Sequence, residues 1–335
     1  MAELEPLTIT AIMFFSMLVL MAMGAPLALA LMISGMGSAY LMFGPGGLDL
    51  LLASAYSAMD NFLLVSLPLF IFMGLVLERS GITDDLFEMI HKLMGGIPGG
   101  LGVGTVLICA LIAAMAGVSG AATVSLGIIA LPAMLKRGYH KRLVTGTIMA
   151  GGALGFLIPP SVLMIVYAFL ARESVGKLFA AGLMPGLMLA GIYMAYVLIR
   201  CRLNPALGPA TPPEESFTTR EKLQSLRHVV APGLLVVTVL GCIIGGVTSP
   251  SEASAVGAAG ALVLTALRGK LDWKLLRYVM LSTTRITGML IWIAIAAVFF
   301  SRIYMGLGAG MVISDLIYDF SLSPYTVILF MLLSF

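Results

Sequence analysis

The stretch Gly151-Gly152-Ala153-Leu154-Gly155-Phe156-Leu157-Ile158-Pro159-Pro160-Ser161 lies inside a segment apolar enough to cross a bilayer, and its reading decides the fold. Proline has no backbone N–H and its ring clashes with the preceding turn, so two in succession force a helix to break. Carbonyls released at membrane depth cannot face lipid; they are buried in protein or line a wet cavity. A structural kink packed by neighbouring helices would satisfy that rule. The small residues before the break and Ser161 after it favour a site, because helices broken near the midplane hold ions and small solutes in secondary transporters.

Working outward, the chain is 60% hydrophobic and 10% charged, with a mean hydropathy of +1.07. So little charge over 335 residues describes a polytopic membrane protein. The formal charge of +3 does not point to nucleic acid, since the Lys and Arg residues are spread through short loops. Cys109, Cys201 and Cys242 are far apart with no CxxC pair, so neither a disulfide framework nor a thiolate metal site is indicated. His91, His140 and His228 fall in polar loops and are not expected to ligate metal. The acidic start, Met1-Ala2-Glu3-Leu4-Glu5, lacks the basic region of a cleaved signal peptide, so the first apolar run is expected to persist as a helix.

Spans are expected at 7–24, 26–43 and 62–78, with a short interfacial helix between Gly46 and Asn61. Thr83 to Leu93 is amphipathic and is closed by the Gly95-to-Gly100 breaker. Residues 101–135 are interrupted at Gly117-Val118-Ser119-Gly120. Each arm of about 16 residues reaches roughly 24 Å as helix, short of the ~30 Å hydrocarbon core. This reads as a re-entrant hairpin; one overlong tilted helix with packing glycines is the alternative. The broken helix follows at 143–170, then a span at 178–199, a polar linker, and spans at 229–247, 251–267 and 284–300. The basic residues Lys136, Arg137, Lys141, Arg142, Arg200, Arg202 and Arg268 to Arg277 fall on one face if the hairpin enters from the cytoplasm, leaving the N-terminus periplasmic.

The two halves are similar. Met23-Gly24-Ala25-Pro26 parallels Val247-Thr248-Ser249-Pro250, and Leu48-Asp49 parallels Leu271-Asp272, an offset of about 223 residues. Five spans in the first half would start a second copy on the opposite face. The expected organisation is a first repeat over 1–200, a cytoplasmic linker over 201–228 and an incomplete second repeat over 229–335. The second interfacial helix is placed at 271–283. The chain is expected to be truncated in the second repeat, whose hairpin and broken helix would lie past Phe335.

With these pieces in place the sequence resembles the large membrane subunit of the tripartite ATP-independent periplasmic (TRAP) transporters. The resemblance rests on Pro68 to Gly74, Gly117-Val118-Ser119-Gly120-Ala121, Leu131-Pro132-Ala133-Met134 with Lys136-Arg137-Gly138-Tyr139, Gly152 to Ser161, and Thr248 to Ala253. It implies an all-α, inverted-repeat elevator-type transporter with re-entrant hairpins and broken helices, in a bacterial inner membrane. It further implies sodium coupling, a small membrane subunit, and a periplasmic substrate-binding protein that delivers an organic anion. The implied ion and substrate half-site comprises Gly117, Ser119, Gly120, Thr123, Gly152, Gly155, Pro159, Pro160 and Ser161. Sodium would be held by Ser119, Gly120, Gly155 and Ser161, with no other cofactor. One departure is Ala116, where family members often carry serine.

Other polar residues have local readings. Thr123 and Ser125 face either the ion or backbone carbonyls one turn back. Glu252 is expected to cap a helix, Asp60 to border the interfacial helix, and Arg302 either to serve function or to snorkel outward. An intramembrane enzyme would need a Ser/His dyad, paired aspartates or metal ligands within spans, and none is seen, so no enzyme is expected. A carrier working without a binding protein and a channel subunit remain as rival readings.

Overall fold

The computed structural model describes residues 6–94, 96–117, 119–210, 218–308 and 323–333, and all regular structure among them is helical. Two compact units emerge, one formed by residues 1–61 and 289–335, the other by 62–288.

In the first unit, α1 (Pro6–Ala22) and α2 (Leu27–Phe43) form an antiparallel pair. Ser34 on α2 donates to the Met13 carbonyl at 2.7 Å and lies 2.7 Å from the Ser16 hydroxyl, so the polar atoms between the helices satisfy one another. Gly44 adopts φ +65°, ends α2 and leads through a 3-10 turn at Gly44–Leu48 into α3 (Asp49–Met59), which Asp60 closes. A short helix stands where the sequence reading placed one between Gly46 and Asn61, with Asp60 at its border. The core of this unit joins Ile9 and Met13 to Ala39, Phe299, Phe300 and Ile303. Phe14 meets Phe300 and Tyr304 edge-on, each at 5.7 Å. Arg302 donates to the Ser54 hydroxyl at 3.4 Å and is half-buried. A short helix, α14 (Pro324–Leu333), belongs to the same unit.

In the second unit, α4 (Ser66–Arg79) packs against α12 (Pro250–Leu267), with Gly257 against Met73. The amphipathic segment forms α5 (Ile82–Met94), as its periodicity predicts. It packs against α6 (Gly100–Ala116) and α11 (Thr219–Ile244). Asp85 on α5 accepts from Arg268 at 2.6 Å, and Arg79 stacks over the Tyr278 ring at 4.2 Å. Glu252 forms the reciprocal capping box with Ser249 expected at the start of α12.

Five stretches among the described residues are long and apolar enough to cross a membrane: Leu27–Met59, Phe62–Arg79, Val175–Leu203, Pro250–Leu267 and Trp273–Gly306. Two expectations about local structure fail: His91 and His228, expected in loops, stand in α5 and α11, and one expected helix boundary is absent. The separate helices at 271–283 and 284–300 are a single helix, α13 (Trp273–Gly306). The first-half counterpart is interrupted by Asp60-Asn61, whereas Thr283-Thr284-Arg285 offers neither glycine nor proline to stop a helix.

Candidate ion and substrate site

Two interrupted elements meet in the second unit. The hairpin consists of α6 and α7 (Ser119–Lys136), and the broken helix of α8 (Lys141–Ala153), a 3-10 turn at Leu154–Phe156, an irregular segment, and α9 (Val162–Ala171). At 17 and 18 residues the hairpin arms are near the expected length. Gly117 takes φ +62°, the left-handed conformation that caps α6 and that side-chain-bearing residues adopt at a cost. A Cβ at this position would lie 2.5 Å from the Pro160 carbonyl oxygen.

The tip and the break are joined by main-chain atoms. Val162 N–H, the first of α9, donates to the Gly117 carbonyl at 3.1 Å. α8 packs on both hairpin arms. Gly151 abuts Cys109 on α6, and Gly152 abuts Thr123 on α7 with no room for a methyl group in the present geometry. The broken segment is anchored by Leu154 and Ile158, which insert among Val106, Ala110 and Ala113 of α6 and Ala190 of α10 (Val175–Leu203).

Through the break, Leu157 and Ile158 both donate to the Leu154 carbonyl, and among the described residues no hydrogen bond closes on the carbonyls of 155–160. Ser161 is fully buried at the start of α9, and its hydroxyl has no partner among the described residues. A buried hydroxyl left unsatisfied costs about 1–3 kcal/mol, so this atom asks for a ligand. The oxygen-rich, uncharged donor set suits a hard monovalent cation, as unwound backbone does in secondary transporters.

The helix polarities are consistent with that chemistry. α6 and α8 end at the junction, directing carbonyls towards it, while α7 and α9 begin there with their N–H groups. The junction thus combines poles for a cation and for a carboxylate.

Of the residues singled out from the sequence, the structure brings together Gly117, Thr123, Gly152, Pro160 and Ser161. Gly155 and Pro159 lie buried within the same break. Gly120 stands at the start of α7, exposed, with open space where a Cβ would point. The Ser119 side chain and Val118 lie outside what the structure describes. Ser125 does neither of the things expected of it: its hydroxyl donates to the Glu78 carboxylate on α4.

Two residues escaped the sequence reading. Gly182 and Gly186 on α10 press against the break, where a Cβ would lie 2.9 Å from Leu157 O and 2.8 Å from Ile158 Cγ1, respectively. Their GxxxG spacing was the available signal, since small residues four apart let a second backbone approach.

This fold and site define a polytopic helical membrane protein with a helical hairpin laid against a broken helix. The sequence matches the family described as Tripartite ATP-independent periplasmic transporter, DctM component, over residues 14–335, and the chain belongs to that family. It is 33% identical over 291 residues to the C4-dicarboxylate TRAP transporter large permease protein DctM of Pseudomonas aeruginosa, covering 86% of this chain and 67% of that protein. It is 32% identical over 247 residues to the ectoine TRAP transporter large permease protein TeaC of Halomonas elongata, covering 73% and 57%. With the isethionate TRAP transporter permease protein DctMQ of Oleidesulfovibrio alaskensis it shares 29% over 248 residues, covering 73% and 38%.

Proposed function

We propose that this chain serves as the large permease of a sodium-coupled TRAP transporter that imports a small organic anion of carboxylate type. The carrying observation is the Gly117–Val162 main-chain bond, which joins the C-terminal end of α6 to the N-terminal end of α9 beside a buried Ser161 hydroxyl that has no partner among the described residues. Sodium binds the oxygen face, drawing on Ser161, the carbonyls of the break and, from the sequence, Ser119 and Gly120. The N-terminal face receives the oxyanion of the substrate. C4-dicarboxylates, ectoine and isethionate, named for the relatives, each carry an oxyanion group, which is the chemistry carried over here.

In this reading the hairpin and broken helix form the moving core of an elevator, the second copy of the repeat supplies the matching half-site, and the N-terminus is periplasmic. A periplasmic binding protein delivers the solute, and a small membrane subunit completes the complex.

The test is sodium-dependent uptake by the full-length permease with its partner subunits in vesicles. Ser119→Ala, Ser161→Ala and Gly155→Leu should each abolish it while membrane insertion persists. Unchanged uptake in all three removes the site assignment. Uptake at full rate without an added binding protein would favour a stand-alone carrier, and flux that neither saturates nor depends on sodium would favour a channel.

A further inference from the structure

A second site lies away from the junction, where the basic ends of the second unit converge. His140 N–H donates to the Leu207 carbonyl at 3.0 Å, and Gly99 N–H to the Gly208 carbonyl at 2.9 Å. These bonds bring the base of the hairpin, the start of α8 and the segment after α10 to one end. Between α8 and α10 they leave a cavity of about 630 Å³, within the ~300–1,000 Å³ range of small-molecule sites.

The lining divides into two parts. At the basic end stand His140, Arg142 in the first turn of α8 and Arg200 in the last turn of α10. Among the described residues no acidic side chain lines the cavity and neither arginine makes an ion pair. The remaining wall is mostly apolar and aromatic, with Val106, Leu143, Ala150, Ile192 and Tyr193, and the hydroxyl of Thr147, which also lines it, donates to the Leu143 carbonyl. Ile192 and Tyr196, 54% and 57% exposed, also belong to a stripe with Met188, Ile199 and Leu203 on one face of α10, itself long and apolar enough to span a membrane. The cavity therefore opens beside a helix face apolar enough to meet hydrocarbon. A soluble metabolite has no reason to enter there.

We infer that this cavity binds an anionic phospholipid, its phosphate held by Arg142 and Arg200 with His140 beside them, and an acyl chain lying along Leu143, Ala150 and Ile192. Guanidinium groups suit phosphate oxygens through paired N–H donors, and basic pockets between membrane helices recognise acidic headgroups. The positive-inside reading places this lipid in the cytoplasmic leaflet. One edge of the site is α8, the first arm of the broken helix, so an occupant would brace that arm against α10.

The test uses the intact transporter, exchanged in mild detergent with an equimolar mixture of phosphatidylglycerol and phosphatidylcholine, followed by native mass spectrometry. The wild type should retain phosphatidylglycerol about tenfold or more over phosphatidylcholine. Arg142→Gln with Arg200→Gln should remove that preference. Gly146→Leu offers a second route, because Gly146 lines the cavity and a Cβ there meets nothing within 4 Å. It should fill the space and displace lipid with both arginines in place. Equal retention of the two lipids by the wild type overturns the inference, as does undiminished phosphatidylglycerol in either variant. Displacement of the lipid by excess inorganic phosphate would mark a soluble-anion site instead and likewise overturn it.

Discussion

Gly152 on α8 lies so close to Thr123 on α7 that a methyl group on the glycine would overlap the threonine Oγ1 and sit 3.0 Å from its Cβ. The hairpin arm and the first half of the broken helix are in backbone-level contact at the point where the ion is proposed to bind. Gly152→Ala must therefore turn the Thr123 hydroxyl away. Insertion and yield should hold, while the sodium concentration for half-maximal uptake rises about tenfold, equivalent to ~1.4 kcal/mol. Combining it with Thr123→Ala should relieve the overlap and recover thermal stability without recovering the sodium response. A double variant with wild-type sodium dependence would show that Thr123 only packs.

Gly117 and Gly120 should behave oppositely although both belong to the tip. Gly117→Ala forces a side chain into φ +62°, at about 1–2 kcal/mol, and against the Pro160 carbonyl. A lower melting temperature and loss of uptake are expected. Gly120→Ala adds a methyl to open space in a helix and should leave the melting temperature equal or higher. Both are read by thermal denaturation of the purified permease.

The Ser125–Glu78 contact ties α7 to α4 across 47 residues of sequence. Hydrogen bonds to charged groups contribute about 1.5–3 kcal/mol when buried, and this pair is half-exposed, so Ser125→Ala should lower stability by less than that. Ser125→Thr should restore it, which a chemical denaturation series would register.

Helix starts outside the proposed site offer a pH test. The Thr218 hydroxyl and N–H both donate to Glu221, holding its carboxyl below the usual carboxylate range. A folded-state pKa that is lowered contributes stability above the unfolded value and loses it as pH falls through the folded one. Hydrogen exchange at the start of α11 should accelerate on acidification below the normal glutamate range, and Glu221→Gln should weaken that dependence. The corresponding Ser249→Ala change at α12 should cost about 0.5–2 kcal/mol near neutral pH, seen as a lower melting temperature, and less on acidification, because the lost hydroxyl donates to the Glu252 carboxylate.

What the sequence made legible follows its breakers. Pro159-Pro160 and Gly117 marked the interruptions, and Asp60-Asn61 marked the end of α3, because each changes local backbone preference strongly. The uninterrupted α13 was misread because a repeat argument inserted a boundary where Thr283 and Thr284 impose none. Contacts between distant segments stayed hidden. The charge pattern placed Arg142 and Arg200 on one face, yet nothing local says that they share a cavity. Ser125 likewise finds Glu78 only through the packing of α7 near α4. The Ser161 position was marked by its neighbours, but that its hydroxyl finds no partner among the described residues is a property of the folded surroundings.

The bond between the Gly117 carbonyl and the Val162 amide has no side chain in it. Truncating the side chains around it to alanine leaves donor and acceptor in place, so the loss of a side chain does not by itself cut this bond. Only removing the amide itself, by Val162→Pro or a backbone ester at that position, cuts it. The identity of residue 162 is therefore free to drift under packing constraints alone, while the coupling between the two elements is inherited through chain geometry.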